Sequence, residues 1–294
     1  MSPGRRRGRG LDFQQRFRTS RWAEDLLIHE FGRHDFLAVR LGLSEASEDN
    51  LVRETDARFK VPDLLVFDPA AMNPAETETL AQTDFTQLGP DELRPESRLG
   101  RILCKALCAI EVEFSPYRAA EMKDRHWEKK TLAALARRPR RRAEPPTAPN
   151  IWVKHEDLVP LLAWQRMMGV PILVTHVFDQ EAFAIPLRQV EEFHETYRRS
   201  SSEIIPLQLT SGIFSKTQAY DRVDAQGAGE RKEVFVVTPA AATRVGTIVD
   251  VEVTTQLGTS SSKKYVAHVL FEGGRLDFDE AFLRLVRELR PHRS

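Results

Sequence analysis

Two stretches decide the fold, Val61-Pro62-Asp63-Leu64-Leu65-Val66-Phe67 and Ala109-Ile110-Glu111-Val112-Glu113-Phe114. Both are short apolar runs of strand character, yet each carries acids that a buried strand normally avoids. Alternate residues of a strand share a face, so Glu111 and Glu113 point one way while Ile110, Val112 and Phe114 point into a core. Two carboxylates side by side repel each other and lose hydration. A divalent cation makes such a pair tolerable, and Asp63, placed after a proline, supplies a third oxygen ligand. The grouping suggests metal-assisted phosphodiester cleavage.

The 294 residues suffice for one large domain or two modest ones, and 41% apolar with 29% charged residues is the balance of a soluble globular protein. No apolar run approaches the roughly 20 residues that span a bilayer, so no membrane partner is expected. The N-terminal arginines are not followed by an apolar segment, unlike a secretory signal. Cys104 and Cys108, the only cysteines, lie four apart in a segment that reads as helix. They fit a reduced, cytoplasmic setting as small apolar fillers, without a disulfide or structural zinc.

Net charge is zero, but charge is segregated along the chain. Residues 1–22 hold seven arginines against Asp12 alone, and residues 117–142 hold ten Lys or Arg against three acids. Such segregation can build a phosphate-binding surface without a basic average, although solvated basic loops would look the same.

Residues 1–19 read as a basic flexible arm. Trp22 to Leu41 has helical spacing, with Ser20 as N-cap and Glu24 and Asp25 in the first turn. A strand from Arg58 to Phe67 follows, then a loop over 69–95 rich in Pro, Thr, Asp and Glu. A helix over Leu99 to Leu107 feeds the strand at 109–114, and Ala119 to Ala136 resumes helical spacing before a basic segment at 137–149. Further on come Ile151 to Lys154, a helix from Glu156 to Met168 ended by Gly169, an apolar strand from Val170 to Phe178, a strand Ala182 to Pro186 and a helix Leu187 to Arg198. After Ser200-Ser201-Ser202 the pattern turns strand-rich, over Val234 to Val237, Thr247 to Thr255 and Lys264 to Phe271, and ends in an amphipathic helix from Asp279 to Leu289. The expected architecture is α/β: a mixed central sheet flanked by helices over 20–200, with a smaller β-rich C-terminal lobe over 201–294.

Pro62-Asp63 on one strand, an acid-x-acid on the next, then a helix and an apolar strand, resembles the PD-(D/E)xK nuclease superfamily over roughly residues 20–190. That family includes many type II restriction endonucleases. The resemblance implies a restriction-endonuclease-like core and one or two Mg²⁺ per active site. It matches Asp63 and Glu111 to the family's metal-binding acids, and Glu24 to an acid that many members contribute from the first helix. Glu113 stands where the family usually has lysine, as in its Glu-x-Glu members, so Glu113 is expected to orient or deprotonate the attacking water. Lys154 is a candidate for a relocated cation. The substrate implied is double-stranded DNA, cut by a homodimer whose two active sites are related by a two-fold axis, with a cognate DNA methyltransferase in the same system. A repair, phage or transposition nuclease, or a non-catalytic DNA-binding protein on a decayed nuclease fold, are the rival expectations.

Other residues carry less chemistry. Tyr117 and Arg118, just past the second acidic strand, could meet backbone phosphates or form a simple turn. Arg140 and Arg141, and Lys263 and Lys264 within Thr259-Ser260-Ser261-Ser262-Lys263-Lys264-Tyr265, are further DNA-binding candidates, as is a polar loop from Asp221 to Glu233. His176 reads as a core histidine and Trp164 as a core aromatic. There is no Gly-rich phosphate loop and no Gly-x-Ser-x-Gly elbow.

Overall fold

The computed structural model describes residues 11–41, 60–85, 88–89, 91–115, 118–119, 122, 149–199, 212–223, 229–259 and 265–289. The chain is mixed α/β. Its main sheet has seven strands in the order β1-β2-β3-β5-β6-β9-β10, and a three-stranded sheet has the order β4-β8-β7. The strands are β1 (Leu37–Arg40), β2 (Leu64–Phe67), β3 (Cys108–Phe114), β4 (Ile151–Lys154), β5 (Ile172–Val177), β6 (Glu181–Pro186), β7 (Ile213–Val223), β8 (Gly229–Val237), β9 (Thr243–Thr259) and β10 (Tyr265–Phe278). Among the described residues six α-helices join them: α1 (Leu11–Arg33), α2 (Pro74–Gln82), α3 (Arg98–Leu103), α4 (His155–Met168), α5 (Leu187–Arg199) and α6 (Glu280–Glu288). Only β3 and β5 pair in parallel in the main sheet.

The period-two alternation of β2 and β3 divides the core in two. Leu64, Val66, Cys108, Ile110 and Val112 face a layer built by Trp22, Leu26, Leu27 and Phe31 of α1 with Phe282 and Val286 of α6. Leu65, Phe67, Ala109, Ile172 and Val174 face the opposite layer, with Ile151 and Val153 of β4 and Leu158, Leu161 and Trp164 of α4. The sheet is therefore buried on both faces, which is why its central strands read as near-continuous apolar runs. Asp63, Glu111 and Glu113 share the parity of Leu65 and Ala109, so they face β4 and α4.

Several boundaries differ from expectation. The first helix begins at Leu11 and ends at Arg33, so residues 11–19 are helical and Ser20 is an interior residue, not a cap. Phe36 and Leu37 had extended the helical spacing, but the chain turns at His34-Asp35, where Asp35 has φ 62°, and Leu37–Arg40 pairs with β2. The expected loop at 69–95 contains α2. Asn73 caps it by accepting from the Glu76 N–H while the Glu76 carboxylate accepts from the Asn73 N–H, and Pro74 opens its first turn. Cys104 ends α3 and Cys108 starts β3, so the two do not share a helix. The expected polar loop at 221–233 holds the end of β7 and the start of β8, which pair antiparallel.

The strands beyond residue 200 are abundant, as the composition shift suggests, but they enter both sheets. β9 pairs with β6 in the main sheet, and β8 pairs with β4. Among the described residues no helix is long and apolar enough to cross a membrane.

Candidate active site

The β2–β3 register pairs Leu64 with Ile110 and Leu65 with Ala109, and one further step sets Asp63 opposite Glu111. The Asp63 carboxylate, through Oδ2, accepts from the Val112 N–H at 2.7 Å, and its backbone carbonyl accepts from the Leu41 N–H at 2.8 Å. On the other side β3 and β5 run in parallel with Glu111 beside Val174 and Glu113 beside His176. The three acids thus lie along one face of adjacent strands, as the alternation predicts.

Two lysines enter among them. Lys60, just ahead of Asp63 in the chain, places Nζ 2.5 Å from Glu111 Oε1 and 3.2 Å from Asp157 Oδ2. Lys154, the last residue of β4, places Nζ 3.4 Å from Glu113 Oε1 and 3.5 Å from Asp157. Asp157 sits in the first turn of α4, where the helix dipole favours an acid, and bridges both ammonium groups. Four carboxylates and two ammonium groups therefore share the space between the main sheet and α4.

Glu111 is buried and uses only one oxygen. Its Oε2 has no hydrogen-bond partner among the described residues. A buried carboxylate oxygen left unmatched is costly. Burial raises the Glu111 carboxyl above the ordinary range, with Lys60 opposing the shift. Burial also pushes Asp63 well above its usual value, and the Glu111 and Glu24 charges add to that while the Val112 N–H opposes it. For Lys60 burial alone would lower the pKa, but Glu111 and Asp157 outweigh it and hold the ammonium protonated. Lys154 is pushed up to about 12, chiefly by Glu113.

Each expected catalytic or metal-binding residue has a definite place. Asp63, Glu111 and Glu113 are brought together, and Lys154 joins them through Glu113. Glu24, on α1, is held by the Arg40 guanidinium and by Ser20, and it touches the cluster only through its charge. His176 is buried as a core residue and stacks on Phe178 with ring centroids 4.7 Å apart. Burial pushes its pKa down to about 4, so it is neutral. Arg118 lies just beyond the end of β3. Tyr117, Arg140, Arg141, Lys263 and Lys264 lie outside the described residues.

Lys60 and Asp157 are the members that sequence reasoning missed. A signal existed for Asp157: it stands three residues after Lys154 at a helix start, the spacing at which side chains meet. Lys60 had none, because its meeting with Glu111 bridges fifty-one positions (60 to 111).

The donor set suits a hard divalent cation: carboxylate oxygens only, one of them buried and unmatched. The placement is another matter: among the described residues no three or more His, Cys, Asp or Glu side chains form a group that could hold a metal ion. Comparison with protein-family models, with curated proteins and with solved structures finds no match for this chain.

Proposed function

We propose that the protein is a Mg²⁺-dependent endonuclease acting on double-stranded DNA, of the type II restriction class, with Asp63 and Glu111 as metal ligands and Glu113 as the group that takes a proton from the attacking water. The observation that carries this reading is the buried, unpartnered Oε2 of Glu111, with Asp63 opposite it and Glu113 beyond it on the same sheet face. Mg²⁺ would supply neutralisation of charge on the phosphate and a lowered pKa of water. The chain's own residues do the rest. Glu113 is partly exposed, its side chain 28% accessible, so its carboxylate can meet a solvent molecule. The water oxygen forms a bond to phosphorus as the bond to the 3′ oxygen breaks. The water proton passes to Glu113, and the leaving oxygen takes a proton from solvent. Lys60 and Lys154 hold the acids at fixed positions and lessen the repulsion of a phosphate by four carboxylates. A homodimer and a cytoplasmic location accompany this reading, together with a methyltransferase that protects the host sites.

The test is incubation of the purified protein with phage DNA and Mg²⁺. Discrete fragments are expected from the wild type, and Asp63→Asn or Glu111→Gln should slow cleavage at least about 100-fold with the fold retained. A wild-type rate in either variant would remove the metal-site reading. A non-catalytic DNA-binding protein is the second reading, favoured by the two lysines that already compensate the acids. Calorimetry separates the two, since a decayed site binds no Mg²⁺.

A further inference from the structure

We infer that Lys60 is the cation of this site that meets the scissile phosphate, and that Lys154 serves Glu113 from the side; the inference rests on the nuclease reading. The division follows from which carboxylate each ammonium engages. Lys60 grips Oε1 of Glu111, whose other oxygen is the buried unmatched atom, so the ammonium and the proposed metal-binding oxygen belong to one carboxylate. Among the described residues Lys154 reaches Glu113 and Asp157. The mode of entry differs as well. Lys60 comes from the segment leading into β2, on the same stretch as Asp63, and bridges Glu111 and Asp157. Lys154 comes from the opposite layer, at the junction of β4 and α4.

An ammonium has three N–H donors, and two here go to Glu111 and Asp157. Among the described residues a third donor remains beyond these two ion pairs. The side chain is about one-third exposed (34%), so one side of it reaches solvent. A phosphate bound beside Glu111 would thus place a non-bridging oxygen against a positive group that is already oriented, which stabilises charge growing on that oxygen. Lys60 donates hydrogen bonds and stays protonated throughout. No proton transfer is assigned to it.

Kinetics and metal binding, measured together, test the assignment. Lys60→Met should lower kcat about 100-fold with KM little changed, and bind Mg²⁺ at least as tightly as the wild type, because a positive neighbour of the ligand carboxylate is gone. Lys60→Arg keeps the charge and the ion pairs needed for folding, and should recover part of the rate with a wild-type thermal midpoint. Lys154→Met should cost a smaller factor than Lys60→Met. A Lys60→Met protein that cuts at the wild-type rate overturns the assignment while the nuclease reading stands. So does loss of Mg²⁺ affinity in step with the rate, or a Lys60→Arg protein no better than Lys60→Met, since each marks a structural lysine. A wild type that neither binds Mg²⁺ nor cuts DNA brings down both readings.

Discussion

Glu113 differs from its neighbours in chemistry although it shares their strand face. Asp63 and Glu111 are buried deeply enough to raise their pKa values, whereas Glu113 is partly open to solvent and paired at longer range with Lys154. Replacing it by lysine would set a third ammonium beside Lys60 and Lys154 and remove the carboxylate proposed to accept the proton. Glu113→Lys is therefore expected to lose the cleavage rate, read as kcat on a defined duplex. His176, directly beside Glu113, gives a pH signature of a different kind. Its folded pKa of about 4 lies below the ordinary 6.5, so in acid the unfolded chain takes up a proton that the native state refuses. Its contribution is fully present above pH 6.5 and is lost as pH falls toward 4, about 3 kcal/mol over the whole window. Urea titrations of the wild type and His176→Asn at a series of pH values should give a stability difference that changes only between those limits. A difference that stays constant through the window would mean that His176 takes its proton normally in the folded state.

Among the elements, α2 and the α1–β10 contact show how local chemistry is reinforced. The capping box at Asn73 and Glu76 matches two orphan N–H groups at the start of a nine-residue helix with only Leu80 buried. Such a helix depends on its cap. Asn73→Ala should cost about 1 kcal/mol by chemical denaturation. Glu30 ties α1 to the far edge of the sheet: its buried carboxylate takes Arg33 at 2.8 Å and His34 and the Phe278 N–H at 3.2 Å each. Around it Phe31 packs on Phe278 and Phe282, with ring centroids 4.8 Å and 6.0 Å apart. Glu30→Ala leaves the part-buried Phe278 N–H without its carboxylate acceptor, so a loss of roughly 1–3 kcal/mol is expected in the same denaturant assay. Gly246 is required where β9 crosses close to β10, because a Cβ there would lie 2.1 Å from the Asp277 carbonyl oxygen.

Across the molecule, the last third of the chain completes the core. β9 supplies the neighbour of β6, β8 supplies the neighbour of β4, and α6 covers the same sheet face as α1. Lys154 and His155 stand at the end of the strand that β8 holds, and the His155 ring stacks on Phe235 of β8 with centroids 3.9 Å apart. The candidate site therefore draws on the C-terminal strands for its position. A chain cut after residue 200 should lose cooperative unfolding, and the full chain should unfold in a single transition by circular dichroism. A truncated chain with a sharp transition of its own would instead mark an independent core.

The acid face was legible because it rests on short-range geometry. Period two puts Glu111 and Glu113 together, and a proline before Asp63 marks the start of the adjacent apolar run. The mixed α/β class was legible for the same reason, as was most of α4, whose end at Gly169 needs the left-handed φ of 67°. Strand β1 was hidden because Phe36 and Leu37 continue a helical spacing, and α2 because its Pro, Thr and Glu content resembles a loop. No local rule reaches the rest. Hydrophobic spacing says which side of a strand is buried, but the partner that buries it is chosen by burial across the whole chain. Folding alone decided that β9 lies beside β6, that Lys60 meets Glu111, and that Asp157 joins two lysines over one acidic face.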